Sequence, residues 1–137
     1  MTELSDVPES VLARLRASCL RLPDAYEEPA WVGVRWRIRG RTFAHALVIR
    51  DGRPQAYARA AGTEGPTCVV TFRVTGEELA ALEHAGHPYF AVRWGRDVGG
   101  VVLDAFDDWG ELAELLTESY CLLAPRTLVR EVEPPGP

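Results

Sequence analysis

From residue 32 onward the chain alternates apolar and polar side chains with a period of two, a pattern that no helix can bury on one side. Val32, Val34, Trp36 and Ile38 share one face; Gly33, Arg35, Arg37 and Arg39 share the other. Gly40-Arg41 reads as a tight turn into a second alternating run. In it Phe43, His45, Leu47 and Ile49 face one way and Thr42, Ala44, Ala46 and Val48 the other. Asp51-Gly52 is a hairpin turn signal. A short third strand is expected from Pro54 and Gln55 through Tyr57 and Arg59, then a loop over 60–66 and a fourth strand from Thr67 to Val74. Connections this short favour antiparallel pairing, because a parallel crossover needs a dozen residues or more.

Helical spacing frames these strands. Val7, Val11, Leu12, Leu15, Cys19 and Leu22 recur as one helix face, with Asp6 as its expected cap, Pro8 in its first turn and Pro23 ending it. Residues 23–30 read as an acidic connection. Thr75-Gly76-Glu77-Glu78 has capping-box form and opens a short helix through Leu79 and Leu82 that Gly86 terminates. Two further strands, Pro88–Trp94 and Gly99–Asp104, are joined by Gly95-Arg96-Asp97. Asp107 is expected to cap a helix carrying Trp109, Leu112, Leu115, Leu116, Ser119 and Tyr120, which Pro125 breaks before a last turn or two over 125–132. The expectation is an α+β fold: an antiparallel sheet of about five to six strands packed by N-terminal and C-terminal helices.

The 137 residues suit a single domain with its core at about 7–132, a short polar N-terminus and a proline-rich tail over 133–137. A chain of this length buries roughly 68% of its unfolded surface and needs neither disulfide nor metal to fold. No apolar run approaches the ~20 residues of a membrane span. The acidic start lacks the basic-then-apolar pattern of a secretory signal, so a cytoplasmic protein is expected. Cys19, Cys68 and Cys121 are odd in number and widely spaced, which favours reduced core thiols over a disulfide or zinc framework.

All 15 basic residues are arginine, and they are segregated. Residues 31–60 hold seven arginines and one acid, Asp51; residues 101–137 hold two arginines and eight acids. The whole chain carries −5, so a dipolar surface with one basic patch is expected, not a basic protein.

Four stretches together resemble the MmcQ/YjbR-like family. They are the helix ending at Leu22-Pro23 with Glu27 and Glu28 after it, the Gly40-Arg41-x-Phe43-Ala44 turn, and Gly99-Gly100-Val101-Val102-Leu103-Asp104 leading to Asp108-Trp109-x-Glu111-Leu112. The fourth, and the most specific, is Ser119-Tyr120-x-Leu122-x-Ala124-Pro125-Arg126-x-Leu128. The resemblance spans about residues 10–132. It implies a CyaY-like α+β fold and an association with DNA binding, and it marks Arg126, where many members carry lysine.

The candidate nucleic-acid contacts are Arg35, Arg37 and Arg39, spaced ~7 Å apart on one strand face, close to the spacing of successive phosphates. Arg41, Arg50, Arg53 and Arg59 extend the set, with Trp31 as an exposed stacking candidate and Arg126 from the resemblance. The competing reading is internal neutralisation, by Glu111, Glu114 and Glu118 of the C-terminal helix or by the 24–28 segment. Trp36 has core parity; Tyr57, Trp94 and Trp109 are further aromatics that could stack or fill the core. His84-x-x-His87 lacks a third ligand for zinc. Asp104, Asp107 and Asp108 read as junction and cap, and no nucleophile or phosphate-loop motif occurs. The resulting expectation is a non-enzymatic protein without metal or cofactor, with DNA as the partner the resemblance implies. A protein-interaction module, self-associating through the basic sheet and the acidic helix, is the alternative. A small-ligand binder or enzyme with a pocket between sheet and helices stands third.

Overall fold

The structure is a computed structural model that describes residues 6–93 and 96–132. In chain order it runs α1 (Glu9–Cys19), β1 (Tyr26–Pro29), β2 (Val34–Ile38), β3 (Arg41–Ile49), α2 (Gln55–Ala61), β4 (Thr67–Arg73), α3 (Gly76–Ala85), β5 (Tyr89–Arg93) and β6 (Asp97–Val102). A 3₁₀ turn at Leu103–Ala105, α4 (Trp109–Leu123) and α5 (Arg126–Val129) complete it. The six strands form one sheet in the order β1-β2-β3-β4-β6-β5, and every neighbouring pair is antiparallel. The α+β expectation therefore holds. Trp94, Gly95 and the tail over 133–137 lie outside the described residues, as does the start of the polar N-terminus.

Alternation dictates the two faces. Val34, Trp36 and Ile38 of β2, with Ala44, Ala46, Cys68, Val70 and Phe72, pack under Leu12, Leu15 and Cys19 of α1 and Leu112, Leu116 and Tyr120 of α4. The opposite face is not simply open. Leu47, Ile49, Val69, Phe90, Val92, Val98 and Val102 make a second, smaller core with Ala58 of α2, and Tyr57, Ala60 and Ala61 pack against it. That helix covers one end of the face and leaves the other end to polar side chains.

Four expectations are corrected. The acidic stretch after α1 is not a loop but the edge strand β1. Its Glu27 turns inward, accepting from Trp36 Nε1 at 2.9 Å and from Arg16 of α1 at 2.8–3.1 Å. Acids and a proline suit an edge, where they discourage further pairing. The expected third strand is the helix α2: QAYARAA is alanine-rich, Pro54 precedes it, and Gly62 closes it at φ 72. Asp6 does not cap α1, whose N-cap is Pro8; it lies 3.7 Å from Arg50 instead. Asp108, not Asp107, caps α4, accepting from the Glu111 N–H at 3.0 Å. The Thr75–Glu78 capping box forms as read.

Candidate functional site

The sequence placed a row of arginines on β2, and β1 answers it with acids. The register sets Glu28 opposite Arg35 and Tyr26 opposite Arg37. Glu28 Oε1 lies 2.5 Å from Arg35 Nη2 and 3.0 Å from Arg37 Nη1, and Asp24 lies 3.2 Å from Arg39 Nη2. Against a desolvation effect of opposite sign, the Arg37 and Arg35 guanidiniums hold the Glu28 carboxyl below its usual range. The 24–28 segment thus supplies the counter-charge. The acids of α4 look elsewhere: Glu111 accepts from the Tyr89 hydroxyl at 2.6 Å, and burial with the neighbouring Glu78 and Glu114 pushes the Glu118 carboxyl up.

The other candidates disperse. Arg50 forms an isolated bridge with Arg53 just beyond β3, and Arg59 is exposed on α2. Trp31 stands 98% exposed in the β1–β2 turn. It sits before the start of β2, whereas Arg37 lies near the other end of that strand. Arg126 is exposed at the start of α5, and His84 and His87 are exposed near the end of α3. Trp36 is fully buried, as its parity required. Among the described residues no group of three or more His, Cys, Asp or Glu side chains could hold a metal ion.

Two of the predicted arginines meet two that sequence reasoning missed. Arg37 and Arg41, from either side of the β2–β3 turn, line a cavity of about 690 Å³ with Arg73 at the end of β4 and Arg96 just before β6. Thr42, Gly40, Leu122 and Leu123 also line it, and no carboxylate lines it among the described residues. Arg41 Nη1 donates to the Leu123 carbonyl at 3.3 Å, and Arg37 also donates to the Gly40 carbonyl. The Nε–H groups of Arg37 and Arg73 are buried and meet no acceptor among the described residues. Burial first, then the Arg96 and Arg41 guanidiniums, hold Arg73 below its ordinary pKa, with Asp97 opposing weakly. Like charges gathered around a cavity favour an anion there.

A break in the sheet makes the cleft. The β2–β3 register slips by one residue between Trp36 and Arg37, leaving Phe43 unpaired and turned into the main core against Tyr120, rather than onto the His45 face that simple alternation gave. Pairing of β3 with β4 stops at Ala44↔Phe72. The next rung would join Phe43 to Arg73. Instead the buried Ser119 hydroxyl sits between them, accepting from the Arg73 N–H at 2.8 Å and donating to the Phe43 carbonyl at 2.6 Å. The strands splay there, and α4 is pinned to both. Tyr120 fixes the same helix turn by donating to the Pro23 carbonyl at 2.7 Å. Ser119-Tyr120, the most specific of the sequence signatures, is thus the fastening behind the cleft.

A niche of about 140 Å³ continues from this cleft toward α2, sharing Thr42, Arg73 and Arg96 with it and lined further by His45, Tyr57 and Thr71. His45 Nε2 lies 2.6 Å from the Val32 carbonyl, so it carries the proton, and Nδ1 accepts from the Tyr57 hydroxyl at 3.2 Å. Burial holds this imidazole below its ordinary pKa and keeps it neutral.

The missed residues had a weak signal. Arg73 and Arg96 lie outside the arginine-rich stretch, and only a strand register brings them to Arg37 and Arg41. Comparison with known proteins agrees with the fold. The crystal structure of Deinococcus radiodurans protein DR2400, with its DUF419 domain, matches at a TM-score of 0.65 and 20% identity, covering 92% of this chain and 94% of that one. Curated proteins yield no match. No helix among the described residues is long and apolar enough to cross a membrane. The family model described as YjbR matches residues 20–122, which include the bulge, the splayed rung and Ser119, and the chain belongs to the YjbR family.

Proposed function

We propose that the protein is a non-enzymatic nucleic-acid binder that contacts phosphates through the arginine cleft at the open end of its sheet. One observation carries the reading: Arg41, Arg73 and Arg96 line one cavity with Arg37 and no acid among the described residues, while Glu28 and Asp24 are occupied by Arg35, Arg37 and Arg39. Arginine suits phosphate because its planar fork donates two parallel hydrogen bonds to paired oxygens. The three unpaired thiols suit a reducing compartment such as the cytoplasm.

The test is fluorescence anisotropy with labelled duplex and single-stranded DNA from low to physiological salt. Three or four neutralised phosphates give a slope of log K against log salt of roughly −3 for duplex. Arg41→Glu with Arg96→Glu removes binding and leaves the melting temperature nearly unchanged. Binding that persists in this double variant, or no binding by the parent protein at low salt, refutes the reading. A second reading, self-association, draws on the acidic cluster of Glu78, Glu114 and Glu118, opposite in sign to the cleft. It predicts a dimer mass in light scattering at low salt that falls to monomer as salt rises.

A further inference from the structure

We propose that the cleft is built for a terminal phosphate, a phosphate monoester, whose attached group runs into the niche between His45, Tyr57 and Thr71. The inference rests on the anion-binding reading of the cleft but departs from it in what is bound. The larger cavity, about 690 Å³, is lined by four arginines, and the adjoining niche, about 140 Å³, shares Arg73 and Arg96 with it and adds the side chains of His45, Tyr57 and Thr71. Two adjoining spaces, one ringed by guanidiniums and one adding uncharged walls, fit a ligand with a charged end and a neutral one.

The chemistry of the two ends agrees. A monoester phosphate carries up to two charges and three terminal oxygens, against one charge and two free oxygens on a diester, so it can accept from several guanidiniums at once. The Arg41, Arg73 and Arg96 guanidiniums line the cavity and supply such donors. Beyond Arg73 and Arg96, the groups that line the niche are neutral. His45 is held to its Val32 and Tyr57 partners, and the Thr42 and Thr71 hydroxyls make no hydrogen bond with another described residue. Hydroxyls and an uncharged imidazole beside Val98 and Phe72 fit a sugar or heteroaromatic ring. The ligand chemistry is therefore a ring-bearing phosphate monoester, either a free nucleotide-like molecule or the 5′-phosphorylated end of a strand.

The experiment compares short single strands labelled at the 3′ end, one bearing a 5′-phosphate and one a 5′-hydroxyl, with adenosine 5′-monophosphate as competitor. The expected result is about tenfold tighter binding of the phosphorylated strand, the worth of one or two charge-assisted hydrogen bonds, and its displacement by the monophosphate. Arg73→Gln abolishes the preference, and Arg41→Gln, on an exposed side chain, does so in part should the first variant fold poorly. Direct calorimetric binding of the monophosphate with no binding of either strand supports the monoester site with a free ligand as its source and sinks the nucleic-acid function. Equal affinity for both strands with no competition overturns the monoester inference and leaves phosphate-backbone binding standing. No binding of any of the three overturns both.

Discussion

Replacing Ser119 by alanine tests the fastening behind the cleft. The hydroxyl has no exposure and satisfies two backbone groups, the Arg73 N–H and the Phe43 carbonyl. Each buried backbone group left unmade costs about 1–3 kcal/mol. The two losses are coupled, so about 2–4 kcal/mol is the expected total, and the better helix propensity of alanine returns about 0.5 kcal/mol. A net loss of roughly 1.5–3.5 kcal/mol follows. With an unfolding entropy of about 2.1 cal/mol/K per residue, a chain of 137 residues loses about 3.5 °C per kcal/mol, so the melting temperature falls by roughly 5–12 °C. Urea unfolding followed by the fluorescence of the buried Trp36 reads the free energy directly, with the slope against urea unchanged. One outcome refutes the reasoning: a loss below about 1 kcal/mol with the Arg73 amide still protected from exchange. The strands would then have closed the missing rung directly, and Ser119 would be a bystander to the splay instead of its cause.

Further predictions address packing and pH. Gly100→Ala drives a methyl group into the Phe90 ring, so the ring must move and stability falls by about 1–3 kcal/mol, read by thermal melting; an unchanged melt would show that Phe90 can yield freely. Glu27 is held below the ordinary carboxylate range by the Arg16 hydrogen bonds, against desolvation, with Trp36 assisting. Its stabilisation is complete above the unfolded value near 4.5 and is lost as pH falls through the lower folded value. Glu27→Gln therefore costs about 1–2 kcal/mol at neutral pH, and the gap from the parent closes on acidification; a gap constant with pH counts against the ion pair. His45 is depressed below 6.5, so the unfolded chain takes up its proton first and stability declines as pH falls through that value, by at most about 1.4 kcal/mol per unit. His45→Gln should flatten this part of the stability profile, and an unaltered slope would assign the proton to another group. Among the thiols, Cys68 is pushed up to about 12 and Cys19 higher still by burial, so a thiol reagent applied to the native protein should modify the less buried Cys121 first.

What could be read from sequence was whatever a local period decides. The alternation of Val34, Trp36 and Ile38, the capping box at Thr75 and the helical spacing of Leu112, Leu116 and Tyr120 each depend on neighbours within a turn or a strand, and each appears as read. The errors fall where a distant partner overrides local character. Glu27 in a run of acids looks solvated, yet Arg16 and Trp36 make it an inward strand residue. Tyr57 and Arg59 mimic a period of two, yet the alanines around them and the second core beneath favour helix. Phe43 fits the parity of His45, yet a bulge turns it over, and a bulge here leaves no mark that alternation can detect.

The same distinction explains why the arginine-rich stretch was not itself the cleft. Charge counted along a sequence says nothing about cancellation across strands. Three of the seven arginines in residues 31–60 pair with Asp24 or Glu28, acids that lie outside that window and enter through the register of an edge strand. The uncancelled charge appears instead where β3, β4 and the β5–β6 turn converge, drawn from residues up to 55 positions apart, Arg41 to Arg96. A chain carrying −5 overall can therefore present a cationic mouth. Its acids repel a polyanion over long range at low salt, but at physiological salt they are screened within about 8 Å. The contact arginines, at hydrogen-bond range, keep most of their attraction. Lowering the salt should consequently strengthen binding less than it would for a uniformly basic domain with the same number of phosphate contacts, because it revives the repulsion along with the attraction.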